Sequence, residues 1–257
     1  MKKQLIIFAA VVMGMSLSSC SISIDEDFKP WATETVKGDG NVVTRDFDVT
    51  AFDQFASVLP ATVNYTVGDT YTCTVTVDEN LFDYIEVRVK DGELLLGKPK
   101  THKHTDLRAT DFVIDITAPS LEEARLAGSG DIVFLSPLNT LDLEIDVAGS
   151  GNVVFKEEAT IDHLELNVAG SGDIYLEKGA VRELEADIAG SGKIVSRAEV
   201  EELDANVAGS GDITAKVNGT LEYFIAGSGD IKYYGDPKVN GRVAGSGSVS
   251  RIDATEW

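Results

Sequence analysis

The chain has few of the residues from which catalytic and metal centres are most often built. Its 257 residues include two cysteines, three histidines and two tryptophans. One of the cysteines, Cys20, ends a leader-like segment, which leaves Cys73 alone and excludes a disulfide framework. Cys73 lies in the alternating, strand-like stretch Tyr71 to Val77 and reads as a buried core thiol. Three scattered histidines among many aspartates define no Ser/His/Asp set. Basic residues are also scarce: 22 Lys and Arg stand against 43 Asp and Glu, a formal charge of −21. Such a surface repels nucleic acid, anionic lipid and polyuronates alike. No cofactor motif is present, and no cofactor is expected. The one apolar run, Leu5 to Met15, is too short and wrongly flanked to cross a membrane.

Glycine is plentiful, and its placement is regular. The phrase Ala-Gly-Ser-Gly occurs seven times, with first glycines at Gly128, Gly149, Gly170, Gly190, Gly209, Gly227 and Gly245. The step between copies shrinks from 21 to 18 residues. A fixed phrase at such a period marks a solenoid of stacked repeats. Two, four and six residues before the glycine, and four after it, the side chains are mostly aliphatic, as in Leu143, Ile145, Val147 and Val153. Apolar residues at every second position give a strand with one buried face. Each repeat therefore reads as strand, glycine corner, second strand and variable return. The fold class is all-β: a single-chain parallel β-helix or β-solenoid of about seven regular coils, wound right-handed. The residue after the phrase is Asp131, Asn152, Asp173, Lys193, Asp212, Asp230 or Ser248. A calcium row there would have Lys193 in its middle. A phosphate loop would need a helix after the glycines, and a strand follows instead. The phrase is a corner.

Five residues before each first glycine lie Glu123, Glu144, Glu165, Glu185, Asp204 and Glu222, then Asn240. Strand alternation turns this position outward, so six carboxylates should stack in a stripe. Neighbouring charges about 5 Å apart in water repel by about 0.8 kcal/mol, which a solvated face tolerates and a cation or basic partner would relieve. The row beside it, from Arg125 to Arg242, is polar in the middle.

Before the repeats, residues 39–120 are strand-rich but irregular and should cap the open end of the 121–257 solenoid. Asp91-Gly92 marks a hairpin turn, and Leu81 to Ile85 a helical turn capped by Asp78. His102 and His104, two apart on a strand, would share a face and are candidate metal ligands, although Lys103 lies between them. Ile252 and Trp257 are candidates for the cap at the far end.

The N-terminus, with Lys2 and Lys3 before the apolar run, reads as a secretory leader over residues 1–19. Leu17-Ser18-Ser19-Cys20 resembles a bacterial lipobox, which implies lipidation of Cys20 and a tether over residues 20–38. Ser21 after the cysteine resembles the pattern for outer-membrane sorting, and Asp25-Glu26-Asp27 the acidic tract of surface-exported lipoproteins. Together with Arg45-Asp-Phe-Asp48, Phe52-Asp53-Gln-Phe55, Asp78-Glu-Asn-Leu81 and the Gly-Ser-Gly-Asp repeats, the chain resembles the autotransporter adhesin "head GIN domain" lipoproteins of Bacteroidetes. The resemblance runs from Asn41 to Ser250. It implies a β-helical fold and a place in the cell envelope, anchored to the membrane by lipid, and it offers no catalytic residue. The expected function is non-catalytic binding or adhesion toward a glycan or protein. The alternatives are an envelope structural or stress-signalling element and, more distantly, a polysaccharide-active β-helix enzyme.

Overall fold

The structure, a computed structural model, describes residues 34–253. The leader, Cys20, most of the expected tether and Trp257 lie outside these residues.

The seven phrases stack in register. Gly128, Gly149, Gly170, Gly190, Gly209, Gly227 and Gly245 are successive parallel partners. The second strands follow suit, with Ile132, Val153, Ile174, Ile194, Ile213, Ile231 and Val249 in one column. The return is more regular than the sequence suggested. Ala159 to Ile161 pairs with Leu138 to Thr140 on one side and with Gly179 to Val181 on the other. Each coil thus has a third β side, and strands such as Leu138–Gly149 and Ala159–Gly170 run through the bend from it into the next coil. Later coils shorten by absorbing this bend into register shifts within the strand Lys193–Gly209.

The corner needs glycine for two reasons. Gly149 has φ 134°, a region closed to L side chains, and a Cβ there would fall on the carbonyl oxygen of Gly128. The second glycine, Gly172, leaves no room either: its Cβ would lie 2.7 Å from Val147 Cγ1. With both side chains absent, the coils approach closely enough for Ser171 N–H to reach Gly149 O at 2.8 Å. The residue after the phrase continues this bonding from coil to coil. Asp131 Oδ1 accepts the N–H of Asn152 at 2.9 Å, and Asp230 Oδ1 accepts that of Ser248 at 2.8 Å. Lys193 has no such acceptor to offer, and Asp212 N–H turns to Gly192 O at 3.2 Å.

The core narrows in its middle coils. Six residues after the glycine, the inward column reads Phe134, Phe155, Leu176, Ser196 and Ala215. Four before it, Ile145 and Leu166 give way to Ala186 and Ala205. Phe134 and Phe155 stack 4.1 Å apart where the coil is widest. The shrinkage does not continue: Tyr233 follows Ala215 and Tyr223 follows Ala205, both packed against the core, so the small residues mark narrow middle coils.

Residues ahead of the repeats add two coils out of chain order. Along the first side, Glu93–Gly97 pairs with Gln54–Ser57, which pairs in turn with Glu123–Gly128. Antiparallel strands close this end: Glu86–Lys90 on Glu93–Gly97, Thr72–Asp78 on Phe112–Ala118, and Val42–Phe47 on Thr72–Asp78. The expected hairpin turn has positive φ at Asp91 and Gly92. The expected helical turn is a 3-10 turn over Glu79–Tyr84 that buries Leu81 and Phe82. Asp78 does not cap it. Its fully buried carboxylate instead accepts Gly40 N–H at 2.7 Å, Thr110 N–H at 2.6 Å and Thr110 Oγ1 at 2.8 Å. Glu34–Lys37, placed in the tether by the sequence, is a strand on Thr105–Arg108, because Val36 packs against the core. His102 ends a 3-10 turn, Lys100–His102, so the shared strand face expected for His102 and His104 does not form.

Candidate outer-face site

Glu123, Glu144, Glu165, Glu185, Asp204 and Glu222 form one column on the outer face of the first side, each the lateral partner of the next. Two residues further along each strand, a second column shares that face: Arg125, Asp146, Asn167, Asp187 and Asn206. The stripe is therefore two columns wide, and the sequence reading saw only the first as acidic. Asp and Asn alternate in the second column for a physical reason. Asn167 Nδ2 donates to Asp146 at 3.0 Å and Glu165 at 2.8 Å, and Asn206 Nδ2 donates to Asp187 at 2.9 Å and Asp204 at 3.2 Å. Each amide separates carboxylates that would otherwise meet at strand spacing. That signal was present in the sequence as every second Asn.

The carboxylates are not fully solvated. Burial, reinforced by Asp146, Glu165 and Glu123, pushes the Glu144 carboxyl up to about 7. Burial pushes Asp187 up to about 6, against the opposing Asn206 hydrogen bond. Glu123, Asp146, Glu185 and Asp204 are raised in the same direction, each first by burial. At the wide end, Arg125 pairs with Glu93 and with Glu123, the latter at 3.1 Å. Carboxylate oxygens of Glu123, Glu144 and Asp146 lie within 4.8 Å of one another, a spacing that suits a shared cation. A recess of about 310 Å³ opens onto the stripe between Glu123, Glu144, Glu165, Asp142 and His163. A depression of about 730 Å³ is lined by Ala56, Val58, Leu95 and Ala127 together with Arg88 and Arg125.

The remaining candidates stand apart from this face. The His102 ring packs against Tyr84, with centroids 4.5 Å apart. Cys73 is buried, and burial pushes its thiol up to about 12, far from a reactive thiolate.

Comparison with known proteins agrees with this architecture. The family described as "Putative auto-transporter adhesin, head GIN domain" matches residues 51–237. A crystal structure titled "Putative lipid binding protein", from Parabacteroides distasonis, is 30% identical with a TM-score of 0.74, covering 86% of this chain and 100% of its own. A "putative adhesin" from the same species is 28% identical with a TM-score of 0.73, covering 85% and 100%. Another, from Bacteroides fragilis, shares the fold at 24% identity and a TM-score of 0.74, covering 84% and 100%. No curated protein matches the chain.

Proposed function

The chain belongs to the auto-transporter adhesin head GIN domain family, and from that membership we propose that it is a non-catalytic binding module of the cell envelope. We place its binding surface on the two-column acidic face. It recognises a cationic feature of its ligand, either basic groups on a protein or glycan or a divalent cation that bridges to one. A lipid on Cys20 holds it at the outer membrane. The observation that carries this reading is the Glu123–Glu144–Asp146 cluster. Its carboxylates are half-buried and raised by burial, and so are arranged at a cost that a bound cation would offset. A rigid stack of parallel strands suits the task because it holds the charges at fixed spacing.

The test is calorimetric titration of the full chain in detergent with calcium and, separately, with a polylysine peptide. Binding to either should weaken at least tenfold in the double variant Glu144→Gln with Asp146→Asn. Equal affinity in the wild type and the variant, or no binding of either probe, would remove the acidic face as the site. Labelling of Cys20 with a radioactive fatty acid, and its loss in Cys20→Ser, tests the anchor independently.

A further inference from the structure

The two ends of the solenoid are finished differently. At the first end, antiparallel strands and the buried Leu81 and Phe82 close the core. At the other, the last coil consists of Lys238–Gly245 and Ser248–Arg251. Among the described residues these strands pair only with the coil before them, Lys238–Gly245 with Thr220 to Gly227 and Ser248–Arg251 with Asp230 to Tyr233. No strand among the described residues pairs with their far edge. The inward side chains lack cover as well: Val239 is 39% and Val243 38% exposed, whereas Leu221 and Ile225, their counterparts one coil earlier, are 0%. Natural edges often forbid pairing with an inward-pointing charge. Here the inward positions are Val239, Gly241 and Val243.

We infer that this edge is a tail-to-tail interface between two copies of the chain, formed by antiparallel pairing of Lys238–Gly245 about a twofold axis at Gly241. An isologous interface must be self-complementary, and this strand nearly is. In Lys238-Val-Asn-Gly-Arg-Val-Ala244 the two inward valines, Val239 and Val243, lie symmetrically about Gly241, and no like charges mirror each other. In that register Val239 of each copy faces Val243 of the other, Asn240 faces Arg242, and Lys238 faces Ala244. The neighbouring registers fail. A slip of one residue sets inward valines against outward-facing residues, Arg242 and Lys238 in one direction and Ala244 and Asn240 in the other. A shift by two in one direction puts Lys238 opposite Arg242, and in the other direction puts Arg242 opposite itself. Directly opposed like charges disfavour both.

Charge along the face points the same way. The acidic column ends at Glu222, and the last coil continues it with Asn240. In the paired assembly the next residue in that column is Arg242 of the second copy. Each stripe therefore runs toward a cation and not toward another carboxylate. Gly241 suits the centre because a Cβ there would lie 2.7 Å from the Tyr223 ring, which fills the space beneath it.

Sedimentation velocity of the full chain in detergent should show twice the monomer mass, and Val243→Asp should return it to monomer with an unchanged circular dichroism spectrum. Cysteine placement tests the register without relying on that variant. A mixture of Asn240→Cys and Arg242→Cys proteins should form disulfide-linked dimers severalfold faster than either alone. A monomer at every concentration, as expected if the chain after Asp253 covers the edge, overturns the inference. So does a dimer indifferent to Val243→Asp, or equal cross-linking in the mixture and in the single variants.

Discussion

The strictest constraints in this protein act on single glycines. Gly190 has φ 143°, and a Cβ would fall on the Gly170 carbonyl oxygen, which is backbone and cannot swing aside. Strained φ alone costs about 1–3 kcal/mol, and the displaced coil contact adds to it. Gly190→Ala should therefore destabilise by more than about 3 kcal/mol, whereas Ser191→Ala, at an exposed position next to it, should stay within about 0.5 kcal/mol. Urea midpoints of the two variants decide the matter, and comparable losses would mean that the corner is set by the phrase as a whole. The glycines were legible in the sequence because both demands fall on the same positions in every coil. The work of the residue after them was not. Asp131 and Asp230 bond to backbone about twenty residues away, and only the stacked structure shows that neighbour. The calcium row and the backbone acceptor use the same Asp and Asn residues, and Lys193 argued only against the first.

Among the elements, legibility follows periodicity. The alternation around Leu143, Ile145 and Val147 named the buried face of each coil because parallel stacking repeats one environment. Ahead of Glu123 the order fails, since Gln54–Ser57 sits between Glu93–Gly97 and Glu123–Gly128 although the chain visits them in another sequence. No local pattern encodes such a non-sequential insertion. His102 and His104 were misplaced for a related reason: two residues on one face require a strand, and the chain makes a 3-10 turn there. The narrow middle, too, was not available in the step length, which goes on shrinking to the coils where Tyr223 and Tyr233 fill the same columns. It carries its own expectation. Phe155→Ala empties the wide region and should cost about 3–5 kcal/mol. Ala215→Leu overfills the narrow one and should cost about 1–3 kcal/mol. Thermal unfolding distinguishes a narrow middle from a uniform core, because a uniform core would accept leucine at 215 as readily as it accepts Leu176.

At the scale of the whole molecule, the charge is concentrated and not merely large. The column from Glu123 to Glu222 places six carboxylates at strand spacing, with Asp146 and Asp187 beside it, and the pairing with Arg125 relieves the wide end. The sign of the resulting pH dependence follows from Glu144. Its carboxyl titrates near 7 in the folded chain against an ordinary value of 4.5, so between those limits the folded state holds more protons than the unfolded state. Stability must then fall as pH rises through that window. Asp78 works in the opposite sense: hydrogen bonds, first from Thr110 N–H, hold it below the ordinary 3.8, so its contribution is lost only in stronger acid. The stability maximum should lie near pH 4, between the two windows. Discounted for the solvent-facing side of the stripe, Glu144 should cost about 1 kcal/mol at pH 8. Melting curves should show a higher Tm at pH 5 than at pH 8, with Glu144→Gln raising the pH 8 value and narrowing the gap. Salt near 1 M, where screening reaches about 3 Å, should reduce the part of that gap due to repulsion and leave the part due to burial. A Tm that instead climbs from pH 5 to pH 8, untouched by Glu144→Gln, would mean that the face is fully hydrated, and would remove the burial cost on which the proposed cation site rests.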